Sequence, residues 1–302
     1  MFLIQALKIL RVRSNAHMAV NHALEIKQLC KEYRVYPEKT RGQHFLINDT
    51  YVKKMVDAAG ITKDDLVVEV GAGWGSLTEE LVARARKGIA IEMEEKMVGY
   101  LRQSLKPDGI ASSLPGVAPR NDIEIWHGDV RRFWDKMPQE PYHVIANIPY
   151  NITGLIIRSF LEKTPRAPEQ MVLMVQKEVA ERITAAPGDM TMLALSVQYY
   201  GKPKKLFTVP KGAFWPQPEV DSAVIRIANI ARPDEKETKI LFALAHRAFA
   251  TKRKQMVSSL ASTALGKTKE DVAAALVACG LKPTARPQEL GIADWRRLIA
   301  HC

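Results

Sequence analysis

The stretch VVEVGAGWGSLTEEL, residues 67–81, decides how the rest of the chain is read. A β-branched apolar run ends at Gly71 and an amphipathic helical pattern begins at Ser76, so a glycine-rich turn joins a strand to a helix. Glycines there let the backbone turn sharply and let a ligand approach without side-chain obstruction. Their spacing is G-x-G-x-G (Gly71, Gly73, Gly75), not the G-x-G-x-x-G that leaves a helix N-terminus open to a pyrophosphate. Glu69 stands just before the turn. Its carboxylate repels phosphate and suits a cationic ligand.

On either side of this unit, apolar runs alternate with amphipathic patterns from Leu66 onward, which predicts an α/β domain with a mainly parallel sheet. The candidate strands are LVVEV (66–70), GIAIE (88–92), IEIW (123–126), HVIAN (143–147) and MVLMVQ (171–176). KLFTV (205–209) and DSAVIRIA (221–228) are joined by too short a segment for a helical crossover, so they are expected to pair antiparallel at one edge. SLTEELVARA (76–85) and GLIIRSFLEK (154–163) read as helices, and residues 105–122 as a surface loop. After ARPDE (231–235) the pattern becomes purely helical, marking a domain boundary. The expected divisions are 1–36, an N-terminal extension and helix; 37–230, a Rossmann-like domain with a mostly parallel seven-stranded sheet; and 236–302, a small all-α domain.

Lys and Arg number 44 against 33 Asp and Glu, a net charge of +11, which favours a polyanionic partner such as nucleic acid. Three widely spaced cysteines, Cys30, Cys279 and Cys302, with no C-x-x-C pair argue against both a disulfide framework and a zinc site, so no metal is expected and a reducing cytoplasm fits. No apolar stretch is long enough to span a bilayer, so no membrane is expected. In residues 1–17 the arginines follow the apolar run rather than precede it, unlike a secretory signal; the segment reads as an extension upstream of a start at Met18, or as an organellar presequence.

The second strand ends at Glu92, near the offset at which a carboxylate accepts hydrogen bonds from ribose hydroxyls. A pocket with Glu69 and Glu92 wants a nucleoside that carries positive charge and no phosphate. S-adenosylmethionine fits, and Asp129 in HGDV offers an acceptor to its adenine amino group. NIPYNIT (147–153) then places a side-chain amide and a phenol at the end of the fourth strand, where a class I methyltransferase fold brings the transferable methyl. The exocyclic nitrogen of adenine is a poor nucleophile because its lone pair is delocalised. Acceptors at its two N–H groups favour a pyramidal, more nucleophilic nitrogen. The Asn147 side-chain oxygen and the Ile148 carbonyl supply both, Pro149 stiffens the turn, and Tyr150 offers a face for the base. The plainer alternative is a simple Asn-Ile-Pro turn.

From about Ala23 onward the chain resembles the ribosomal RNA adenine dimethyltransferases of the KsgA type. GQHFLIN, VVEVGAGWGSLTEEL, IEMEEKM, GDV, NIPYNIT, QKEVAERI, FWPQPEVDSAV and HRAFATKRKQMVSSL occur in family order. The resemblance implies dimethylation of two adjacent adenosines in the 3′-terminal hairpin loop of 16S ribosomal RNA, by a monomer acting on the small subunit. It implies that Gln43, His44, Leu46 and Val130 border the cofactor pocket. Phe214 packs against the target adenine opposite Tyr150 on the same ground; on the residues alone, Phe214 and Trp215 cover the sheet edge. His44 replaces the commoner Asn and Glu219 a commoner basic residue. Arg247, Lys252, Arg253 and Lys254 have no acid among them and form a candidate RNA-phosphate patch; the alternative is a solvated helix face. The rival functions are a 23S adenine methyltransferase of the macrolide-resistance type and a non-catalytic, nucleic-acid-binding relative such as a transcription factor.

Overall fold

A computed structural model of the chain describes residues 22–37, 42–105, 122–251, 254–261 and 268–300. The expectations for residues 1–17, for most of the 105–122 loop, and for Lys252 and Arg253 lie outside the described residues.

The opening stretch forms strand β2 (Leu66–Val70), buried along its whole length, and helix α3 (Ser76–Arg84). Burial on both faces explains why β2 is continuously apolar apart from Glu69. With β3 (Lys87–Glu92), β4 (Asp122–His127), β5 (His143–Asn147), β6 (Gln170–Gln176), β7 (Lys202–Val209) and β9 (Ser222–Ala228) it forms a seven-stranded sheet in the order β4-β3-β2-β5-β6-β9-β7. The first five of these are parallel, and β9 runs antiparallel to β6. β7 and β9 are neighbours, with β7 outermost. A separate two-stranded ribbon pairs β1 (Phe45–Leu46) with β8 (Phe214–Trp215), Leu46 opposite Phe214.

Helix α2 (Asp49–Ala59) buries Val52, Met55, Val56 and Ala59, one face at helical spacing, into a core with Leu81, Ile145, Val172, Met174 and Val224. Burying Val52, Met55 and Val56 stabilises the fold by about 1.5–3 kcal/mol each. Asn48 begins α2 by accepting the Thr50 N–H at 3.0 Å. Helix α4 (Glu95–Ser104) packs beside β3 and β4, and α5 (Thr153–Glu162) follows the turn after β5. Helix α1 (His22–Glu32) buries Ile26 and Leu29 in a cluster with Trp74, Met97 and Tyr100.

The chain divides into two compact units, residues 1–177 with 205–227, and residues 178–204 with 228–302. The second holds most of α6 (Lys177–Ile183), with α7 (Met192–Gln198), α8 (Glu235–Ala250), α9 (Met256–Leu260), α10 (Lys269–Ala278) and α11 (Ile292–Ala300). Residues 178–204, which include the first residues of β7, therefore group with the C-terminal helices, which differs from a boundary confined to residues 231–235. The reason is tertiary. The Tyr199 hydroxyl donates to Glu237 at 3.1 Å, and the backbone N–H groups of Gly188 and Met190 donate to the Gln288 carbonyl at 2.8 and 3.1 Å. Trp295, fully buried, stacks on Phe249. The helical pattern over 238–260 is broken at Thr251, so Arg247 lies in the last turn of α8 and Lys254 in the turn before α9.

Gly75 shows why the turn after β2 admits only glycine there. Its φ is +86°, and an added Cβ would stand 2.8 Å from Cδ2 of the fully buried Leu101. Gly75→Ala is expected to cost about 1–3 kcal/mol through left-handed strain and overpacking. Urea denaturation checks this as a lowered midpoint at unchanged slope; an unchanged midpoint would show that Leu101 yields freely.

Candidate active site

Parallel pairing brings the C-terminal ends of β2, β3, β4 and β5 to one edge of the sheet. Strand order reverses between β2 and β5, and such a switch point opens a crevice. A cavity of about 520 Å³ lies there, a volume suited to a nucleoside-sized ligand. Gln43, His44, Leu46, Glu69, Gly71, Gly73, Glu92, Asp129, Val130, Asn147, Ile148, Pro149 and Tyr150 all line it. These residues span more than a hundred positions of sequence and converge only through the strand ends.

Glu92, 7 % exposed, accepts three backbone N–H groups: Gly73 at 2.8 Å on Oε2, and Met93 at 2.7 Å and Glu94 at 2.8 Å on Oε1. Gly73 presents its N–H from φ +55°, a conformation that favours glycine. A carboxylate has about four acceptor positions, so three are committed and one on Oε2 remains for a ligand hydroxyl. Burial raises the Glu92 pKa, and the three N–H groups oppose that rise.

Glu69 is 3 % exposed and accepts the Thr78 hydroxyl at 2.6 Å. Burial pushes its pKa up to about 8, the Thr78 hydrogen bond opposes this, and the nearby Glu92 adds to it. A buried carboxyl poised near neutrality ionises readily when a cation arrives. Asp129 departs from the expectation of an open acceptor. Its oxygens are taken by Arg131, with Nε at 3.0 and 2.9 Å, and by the Arg131 backbone N–H at 2.9 Å, which caps the 3-10 turn Val130–Arg132. The Arg131 guanidinium holds the Asp129 pKa down. Because the Arg131 side chain is largely exposed, moving it aside costs little.

At the other end of the cavity, Asn147 Nδ2 donates to the His44 carbonyl at 3.2 Å. That bond turns the amide so that Oδ1 is left as an acceptor. Neither Oδ1 nor the Ile148 carbonyl accepts a hydrogen bond within the described residues, while the Ile148 N–H donates to Met174 O at 3.2 Å. Tyr150 shares a 2.6 Å hydrogen bond with the fully buried Ser222 hydroxyl, and its ring stacks with that of His44. Phe214 does not line the cavity: it is 3 % exposed and sits in the core beside Leu46 and Val224. It stands opposite Leu46 in the two-stranded ribbon. Trp215, half-buried, packs near the α1 cluster. Arg247 and Lys254 are exposed.

Arg131 and Ser222 are the residues sequence reasoning missed. Each lies in a quoted motif or directly beside one, but only a partner's position exposes its role. Within the described residues no group of three or more His, Cys, Asp or Glu side chains is placed to hold a metal, and no helix is long and apolar enough to cross a membrane.

The mainly parallel sheet with β9 antiparallel to β6, the glycine turn and the acids at successive strand ends define a class I S-adenosylmethionine-dependent methyltransferase. Residues 37–298 match the family model for ribosomal RNA adenine dimethylase, and the chain belongs to that family. It is 38% identical over 282 residues to the ribosomal RNA small subunit methyltransferase A of Dehalococcoides mccartyi, covering 91% of each chain. Among solved structures it is similar to a dimethyladenosine transferase from Plasmodium falciparum (TM-score 0.70, 26% identity, 84% of this chain and 96% of that one). It is also similar to the 23S rRNA methyltransferase ErmE (TM-score 0.66, 25% identity, 85% and 98%).

The donor set suits this family's cofactor: a spare acceptor on Glu92 for a ribose hydroxyl, and a buried acid at Glu69 for a cationic group. Because burial pushes the Glu69 pKa up to about 8, binding a cation is expected to displace its proton. Affinity for S-adenosylmethionine is therefore expected to rise between pH 6 and 7.5, approaching one log unit per pH unit at most. Calorimetry in buffers of different ionisation enthalpy should detect the released proton, and Glu69→Gln should abolish both effects. Binding without proton release in the parent protein would contradict the assignment.

Proposed function

We propose that this chain dimethylates, at N6, two adjacent adenosines in the 3′-terminal hairpin loop of small-subunit ribosomal RNA. The carrying observation is the orientation of Asn147: its amide donor is bound to the His44 carbonyl, which leaves Oδ1 as an acceptor in the cavity that Asn147 and Ile148 both line. Glu92, Glu69 and the glycine turn hold the cofactor, which when bound supplies an electrophilic methyl group. Oδ1 and the Ile148 carbonyl take the N–H groups of the target amine and hold its lone pair out of conjugation. As the amine takes up the methyl group that the cofactor would supply, positive charge would develop on nitrogen near the two oxygens, and the proton would then pass to water. No strong base is needed for this order of events. Tyr150, fixed by Ser222, offers the face on which the extruded base stacks.

Similarity at 38% identity over nine-tenths of the chain to a small-subunit enzyme supports that substrate over the 23S alternative, where the likeness is at 25%. The intact acid set and NIPY turn support catalysis over a purely binding role. Incubation of unmethylated small and large subunits with the protein and S-adenosylmethionine, followed by nucleoside mass spectrometry, tests the reading. Dimethyladenosine confined to the large subunit would overturn it.

Asn147→Ala is expected to slow methyl transfer on the order of a hundredfold or more, with little change in affinity for cofactor or RNA. Single-turnover kinetics distinguish this from a turn residue, for which the chemical step would stay at the parent rate. On the RNA side, Arg247→Gln and Lys254→Gln should each lower the slope of log affinity against log salt by somewhat less than one unit. An unchanged slope would return both side chains to an ordinary solvated surface.

A further inference from the structure

His44 is joined to both parts of the acceptor end. Its backbone carbonyl accepts the Asn147 amide at 3.2 Å, and its imidazole lies 5.5 Å from the Tyr150 ring, centroid to centroid, at an interplanar angle of 23°. That is an offset stack. The imidazole is itself anchored, since Nδ1 lies 2.7 Å from the Pro216 carbonyl. A carbonyl only accepts, so Nδ1 carries the proton and the ring plane is held by a bond to the segment that follows β8. Tyr150 is thus restrained at its hydroxyl by Ser222 and across one ring face by His44.

We propose that His44 is a positioning residue for the target base: its ring backs Tyr150, so that the opposite face of the phenol is held ready to receive the extruded adenine. A ring free to rotate must be ordered at the moment of capture, and that ordering lowers affinity; a ring already clamped avoids the loss. The inference rests on the reading of Tyr150 as the stacking face.

The test uses the full chain, with affinity for purified small subunits lacking the dimethyl marks measured beside KM, kcat and S-adenosylmethionine affinity. His44→Asn retains an N–H able to reach the Pro216 carbonyl but removes the ring, whereas His44→Phe retains a stacking ring and loses that bond. His44→Asn and His44→Ala should weaken RNA binding and raise KM about two- to tenfold, the range of a lost aromatic pair. Cofactor affinity should fall less than RNA affinity, and His44→Phe should restore RNA affinity. In a Tyr150→Ala background, His44→Ala should have no further effect. Should His44→Ala fail to fold, the Asn and Phe variants still decide the matter. Equal defects in both, a loss of cofactor affinity as large as the loss of RNA affinity, or additivity with Tyr150→Ala would overturn the inference. If Tyr150→Ala itself leaves RNA affinity unchanged, the stacking reading fails, which is distinguishable from a defect confined to the His44 variants.

Discussion

The Glu92 carboxylate is the constraint on which the cofactor end of the sheet depends. It accepts backbone N–H groups from the turn after β2 and from the turn after β3, tying two strand ends together inside the fold. Burying a carboxylate is costly unless it is well bonded, and three charge-assisted bonds offset much of that cost. The arrangement also explains the glycine at position 73, whose left-handed backbone aims its N–H at Oε2. One acceptor position survives the structural duty and remains for a ligand. Structure and binding thus share a single side chain.

A similar economy governs the other end of the cavity. Asn147 terminates β5, and the bond from its amide to His44 fixes which side of the amide faces the reacting group. Tyr150 is held through Ser222 at the start of β9, so a strand that crosses the sheet in the opposite direction fixes the ring. Preorganised dipoles of this kind need no rearrangement as charge develops, which is where their catalytic value lies. The buried Glu69, poised near pH 8, adds a charge that a cationic ligand draws out.

Much of this was legible in the sequence because the signals are local. Continuous apolar runs mark β2, β5 and β6, glycines mark the turn, and the spacing from Gly71 to Glu92 puts an acid at the end of the adjacent strand. Asn147 stood out as a polar residue closing an apolar run. What escaped depends on partners distant in sequence or on a choice between them. Tyr150 and Ser222 are 72 residues apart. Asp129 was legible as an acceptor, but not its capture by Arg131. The grouping of residues 178–204 with the C-terminal helices follows from Tyr199, Glu237 and Gln288, which no periodicity reveals. Phe214 carries the same letter whether it faces a ligand or the core, and it stands in the core, opposite Leu46 in the two-stranded ribbon.

The account turns on where the target amine sits, at the end of β5. The most direct measurement is a crystal structure of the protein with a non-transferring cofactor analogue and an RNA hairpin loop carrying two adjacent adenosines. The account predicts an extruded adenine whose N6 lies within hydrogen-bond distance of both Asn147 Oδ1 and the Ile148 carbonyl, with its ring against Tyr150. An adenine bound with N6 away from those two oxygens would contradict it.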